Sequence, residues 1–307
     1  MTLSNYLAEL SQDQLLYFSL PIFFIAIIIE VKVAKEKYNR KDTSVSLLMM
    51  LFAGIIEFIP KLIAFIVFIY LHEISPLKDI IQRQWWAWLL LFFCEDLSYY
   101  FFHRLNHEIR LFWAGHVTHH SSEYLNFGTA LRQGVGERIH KYFFWLWLPL
   151  LGFDPLMIFT MMGLSLFYQF WVHTELIDKL PKWFEYFFNT PSHHRVHHAS
   201  NIRYLDRNHA GVLIIWDRFF GTYAEELKEI DPPVYGLTEN INTFNKFKVV
   251  THEYQNLWRD IKSADRFTDK LRYLFKAPGW SHLGDDKRAK TLRRQLSEDQ
   301  EKSKIIL

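Results

Sequence analysis

"WWAWLLLFFCEDLSYYFFHRLNH", Trp85 to His107, is an aromatic-rich apolar run that ends on two histidines four residues apart. A helix carrying this stretch lays His103 and His107 on one face, a turn apart. Downstream, "HVTHH" puts His116 three and four residues before His119 and His120, and "HRVHH" repeats the pattern with His194, His197 and His198. His173 closes another apolar region in "FWVHTE". The spacing predicts an all-α protein: an integral membrane helical bundle with a cytoplasmic, histidine-rich, two-metal cap.

Working outward, three further regions are apolar. Leu15 to Ile29 is uncharged and extends through "EVKVA" to about the 20 residues that cross a bilayer. With no basic group before it and no cleavage pattern after it, it reads as a retained anchor rather than a signal peptide. Ser44 to Leu71 is longer and is interrupted by Glu57, Pro60 and Lys61, where proline should kink a helix. Tyr142 to Val172 holds two short apolar stretches around "GFDP", which fit a re-entrant hairpin as well as two spans. Val31 to Asp42 carries five Lys or Arg. The positive-inside rule then puts that loop, and with it all three histidine clusters, on the cytoplasmic side. The alternative is that some of these runs are buried helices of a soluble protein.

Composition narrows the function. Lys and Arg number 35 against 33 Asp and Glu, so no basic stripe supports a nucleic-acid partner. Aromatics make up 18% of the chain, a richness common where rings sit at membrane interfaces. The single cysteine, Cys94, excludes an internal disulfide and a cysteine-based zinc site. One buried histidine is ordinarily a hydrogen-bonded core residue, but three clusters with one geometry, starting where apolar helices end, point to metal. Neutral imidazole suits iron, zinc, copper and nickel. Zinc takes about four ligands, so this many rings implies two ions. Among carboxylates that could orient the rings, Asp96, seven residues before His103, is the first candidate, and an interfacial cap is its plainer role; Glu123 is weaker. The chain divides into N-terminal anchor helices (1–84), a catalytic domain with the histidine boxes (85–240) and a polar helical C-terminal region with a charged tail (241–307). Thr251 to Lys276 is expected to form an amphipathic helix with Tyr254, Leu257, Trp258 and Ile261 on one side. His252 and His282 stand alone and read as non-ligands.

The series HX3H, HX2HH, lone histidine, HX2HH resembles the fatty acid hydroxylase/sterol desaturase superfamily of membrane non-haem di-metal enzymes. Longer phrases, among them "HVTHHSSEYLNFGTALRQG" from His116, "FNTPSHHRVHH" from Phe188 and "GVLIIWDRFFGTY" from Gly211, are most similar to those of the alkylglycerol monooxygenases. The resemblance implies His103, His107, His116, His119, His120, His173, His194, His197 and His198 as metal ligands, with His193 in a supporting place. It implies two iron ions, O2, a membrane lipid substrate and an electron donor, which is tetrahydrobiopterin in the alkylglycerol enzymes or another external reductant. The implied reaction hydroxylates a lipid C–H bond; beside an ether oxygen this gives a hemiacetal that collapses to aldehyde and glycerol. The sequence departs at His209, where such enzymes tend to carry an aromatic residue; an extra ligand, a substrate contact and a plain loop residue are its open readings. Asn126, Arg132 and Gln133 could contact a headgroup or reductant, and Arg132 could equally pair with a local carboxylate. Desaturation of a sterol or fatty acyl lipid is the alternative reaction, and a non-catalytic metal-binding membrane protein the alternative class.

Overall fold

The computed structural model describes residues 15–305. It is helical throughout, and among the described residues no strand forms beyond an isolated bridge between Ala199 and Tyr235. The longer helices are α1 (Leu15–Val33), α2 (Arg40–Glu73), α3 (Trp85–Glu108), α4 (Arg110–His120), α5 (Pro155–Trp171), α6 (Pro191–His197), α7 (Lys246–Ser263), α8 (Phe267–Phe275) and α9 (Ala289–Ile305). Short turns of helix at Phe127–Ala130, Glu137–His140 and Trp147–Leu150 fill the connections.

α2 is the one described helix long and apolar enough to cross a membrane by length and composition. It runs through Pro60 as a single helix. Its most apolar 18-residue window is only 22% buried, so most of that surface faces away from the protein. The polar interruption that the sequence shows there is internally satisfied. The Glu57 carboxylate accepts from the Tyr142 hydroxyl at 2.8 Å and pairs with Arg138 and Lys141 at 3.3 Å. An ionisable group at such a position is normally paired, because an isolated one is costly.

Leu91 and Phe102 of α3 pack with Phe68 of α2, Trp145 and Leu148 of the connecting turns, and Met157 and Ile158 of α5. This apolar core holds α3 and α5 side by side. Ile109, extended at φ −119° and ψ 116°, separates α3 from α4, so two histidine-bearing helices meet across one residue. On the far side of α4, Ala114 packs against Leu257 of α7 and Tyr273 of α8. Arg110 pins that roof through Glu253 at 2.9 Å and Asp260 at 2.7 Å.

The C-terminal region differs from the expected single amphipathic helix. Extended Ala264 ends α7, and α8 begins three residues later. Tyr254, Leu257 and Ile261 form the packed stripe, whereas Trp258 is exposed.

Candidate metal centre

Four elements deliver the nine histidines. α3 brings His103 and His107, and α4 brings His116, His119 and His120. His173 lies just beyond α5, and α6 with its C-cap brings His194, His197 and His198. The α5 and α6 pieces are joined by buried Arg195, which forks onto Glu226 at 2.7 and 2.8 Å and also donates to the Thr174 and Ile177 carbonyls. A planar guanidinium with fixed donors suits such bridging.

All nine rings are buried and sort into two groups. His103, His107, His116, His120 and His197 form one, and His119, His173, His194 and His198 the other; within each group the ligand atoms lie within 4.8 Å of one another. The HX2HH pattern thus splits each box between groups: α4 gives His116 and His120 to the first and His119 to the second, while α6 gives His197 to the first and His194 and His198 to the second.

Hydrogen bonds fix the tautomers. The Nδ1–H groups of His103, His119, His173 and His197 donate to the carbonyls of His209, Arg132, Gln169 and Arg207 at 2.8 to 2.9 Å. A carbonyl can only accept, so Nδ1 carries the proton and Nε2 is left with a bare lone pair. His116 donates from Nδ1 to the Glu137 carboxylate at 2.7 Å, and His107 Nδ1 lies 3.4 Å from Asp206. The bare nitrogens then face one another. Nε2 of His119 and Nε2 of His173 are 3.3 Å apart, and Nε2 of His103, His107 and His197 have no hydrogen-bond partner at all. Protonation does not relieve this conflict, because burial pushes His119 down to about 4 and His173 to about 3. A cation accepting the lone pairs does. Nitrogen donors throughout, split five and four, fit two borderline transition-metal ions such as iron.

Glu137, like Asp206, is a residue the sequence reading missed. It is buried beside His116, near Arg138, and Asn106 donates to it at 3.4 Å. Burial pushes its carboxyl up to about 7, against the lowering pull of Arg138 and Lys141. A carboxylate behind a ligating histidine orients the ring and raises its basicity.

The other candidates occupy different places. Asp96 touches no histidine; it accepts the backbone N–H groups of Val212 and Leu213 and the Trp216 indole N–H, at 2.8 to 2.9 Å. It therefore moors the loop after residue 209 to α3. Glu123 is exposed. His193 is buried against Tyr223 and meets the Thr190 hydroxyl at 3.3 Å, outside both groups. Asn126 caps the turn at Phe127 and donates to the Lys37 carbonyl. Arg132 pairs with buried Asp42 at 2.8 Å, while Gln133 accepts from Arg138. His252 and His282 bond to the Val249 carbonyl and the Tyr273 hydroxyl, apart from both groups. His209 is wholly buried beside the first group.

Outside His107, a cleft of about 1100 Å³ is lined by Arg104, Asp206, Arg207, Arg288 and Arg293 among others. Asp206 thus reaches from the cleft wall to a ring of the first group.

A model of the fatty acid hydroxylase family matches residues 88–222. The chain is 42% identical over 233 residues to alkylglycerol monooxygenase of Homo sapiens, covering 74% of this chain and 51% of that protein. It is 39% identical over 264 residues to the Xenopus tropicalis protein of the same name, covering 84% and 58%. For the Caenorhabditis elegans protein of that name the identity is 32% over 289 residues, covering 90% and 55%. The chain thus spans between half and three fifths of the length of these relatives. No solved structure matches it. By the family match and by these relatives, residues 88–222, which hold both histidine groups, are a fatty acid hydroxylase domain.

Proposed function

We propose that this chain is a membrane-bound non-haem di-iron oxygenase that hydroxylates a lipid C–H bond, with cleavage of an alkylglycerol ether as its specific reaction. The observation that carries the proposal is the pair of buried histidine groups whose unprotonated nitrogens point at each other. The names of the relatives support the ether substrate. Two iron ions held by the five- and four-histidine groups would supply the chemistry that activates dioxygen and attacks an unactivated C–H bond. In the overall balance one oxygen atom enters the C–H bond and the other leaves as water, using two electrons and two protons from an external donor. An oxygen inserted beside an ether link gives a hemiacetal, which separates into an aldehyde and a free glycerol hydroxyl.

The chain's own residues prepare that chemistry. Four carbonyls and Glu137 hold five rings with Nε2 turned inward. Burial of all nine rings would keep bulk water from the ions. Exposed apolar side chains run along α1, α2 and α3, including Ile25, Ile29, Ile55, Phe58, Ile63 and Leu89. They suit a bilayer on that side, from which a lipid chain arrives. With α2 as one span and the Lys- and Arg-rich segment before it, we place the centre at the cytoplasmic face of a multi-pass protein. The basic cleft outside His107 is the aqueous side, where a reductant such as a tetrahydropterin approaches.

The test is metal content after anaerobic purification in detergent, beside a His119→Ala, His197→Ala double variant. About two irons per chain, lost in the variant, together with aldehyde release from an alkylglycerol in the presence of O2 and a tetrahydropterin, is the expected result. Absence of bound metal, or equal content in both proteins, removes the ligand assignment. An alkene product instead of an aldehyde replaces hydroxylation with desaturation.

A further inference from the structure

His209 is fully buried, yet neither of its ring nitrogens makes a hydrogen bond. The Asp206 carbonyl lies near the ring but outside hydrogen-bonding geometry. Leaving a buried polar group unsatisfied costs about 1–3 kcal/mol, so a ring placed this way calls for a partner. Its main chain is fixed from both sides. The His209 N–H donates to Asp217 at 2.8 Å, and its carbonyl accepts from His103 Nδ1 at 2.9 Å. The backbone is therefore pinned, and the ring packs against its neighbours without a hydrogen bond of its own.

What it faces is specific. The ring centroid is 5.1 Å from His107, 5.8 Å from His197 and 5.9 Å from His103. These are the three members of the five-histidine group whose Nε2 atoms have no partner. Four rings with unsatisfied nitrogens thus lie next to one another. His209 does not join the set whose ligand atoms all lie within 4.8 Å of one another. Nitrogens bound to one ion at about 2.1 Å are at most about 4.2 Å apart, so His209 cannot share one ion with all five in this arrangement.

We propose that His209 marks a binding position for a small exogenous oxygen- or nitrogen-donor ligand on the ion of the five-histidine group, and that its ring hydrogen-bonds that ligand. The inference rests on the metal-centre reading above and assigns this histidine to the non-protein ligand rather than to the ion. It makes the two groups unequal: the five-histidine group has a protein hydrogen-bond partner waiting for an added ligand, on the side of the loop that Asp96 and Asp217 tie down.

Azide is the probe, titrated into the metal-loaded full-length protein and followed by its charge-transfer absorbance. We expect His209→Phe to keep the wild-type metal content and to bind azide about tenfold more weakly, the loss of one hydrogen bond of about 1.4 kcal/mol. His209→Gln, which keeps an N–H donor in a similar volume, should recover part of that loss and covers the case in which the phenylalanine variant does not fold. Equal azide affinity in wild type and both variants overturns the proposal. So does loss of metal from a folded His209 variant, which would make the residue a ligand. A wild-type protein without metal fails the underlying centre instead, and metal analysis made before the titration separates the two failures.

Discussion

At the scale of single residues, the histidine rings are oriented by the atoms behind them. Glu137 accepts a hydrogen bond at 2.7 Å from His116 of the five-histidine group. Glu137→Gln keeps the shape and removes the charge behind His116. Loss of such a partner ordinarily weakens metal binding 10- to 100-fold, and competition with a chelator of known affinity measures it; unchanged affinity would leave Glu137 a packing residue. Acid should act on the metal-free protein in a defined direction. Unfolded histidine takes its proton near 6.5, but folded His119 and His173 do so only at about 4 and about 3. The unfolded chain therefore binds more protons between those limits, and folding stability falls as pH drops through 6.5. The loss is up to about 1.4 kcal/mol per pH unit for each such ring. Urea unfolding of the apo-protein at pH 7.5 and pH 5 reads it, and a flat profile contradicts it.

At the scale of elements, much of the arrangement was legible in the sequence, for a local reason. Spacings of three and four residues are intrahelical distances, so "HVTHH" and "HRVHH" announced which rings share a face before any packing was known. Their division between two groups was not legible, because it depends on how α4 and α6 are rotated against each other. Glu137 and Asp206 escaped for the same reason: each reaches its histidine across the fold, from a turn without periodicity. Asp96 was the opposite case. Its helical register with His103 is real, but its carboxylate is consumed by three N–H groups of the 212–216 segment. The contact of α4 with the turn carrying Glu137 is close enough to be decisive. A Cβ on Gly115 would lie 2.7 Å from the Glu137 backbone nitrogen and 3.1 Å from the Gly136 carbonyl carbon, and backbone atoms cannot rotate away. Gly115→Ala should therefore push Glu137 from His116, lowering both thermal stability and metal affinity, whereas Gly54→Ala, which meets nothing within 4 Å, serves as the neutral control. Equal behaviour of the two variants would show that the turn can move.

At the scale of the whole molecule, the apolar outside of α1, α2 and α3 and the polar C-terminal roof give the protein two unlike ends. The protein should sediment with membranes, resist carbonate extraction and need detergent for release; recovery in the carbonate supernatant would overturn the multi-pass reading. The apolar runs and the aromatic richness point to this in the sequence, which leaves open whether 142–172 forms a hairpin or two spans. α3 combines an apolar run with buried Glu95, Asp96 and histidines, so composition alone does not say where lipid ends and protein begins. The roof over α4 also bears on the protein's manufacture. A ribosome emits His198, the last member of either group, well before Lys246, where the roofing helix α7 starts. Every member of both groups is thus synthesised before the helix that packs over α4. If the roof limits access, iron supplied during expression should fill the proposed centre more completely than iron offered to the finished apo-protein, and equal loading by the two routes would show that it does not.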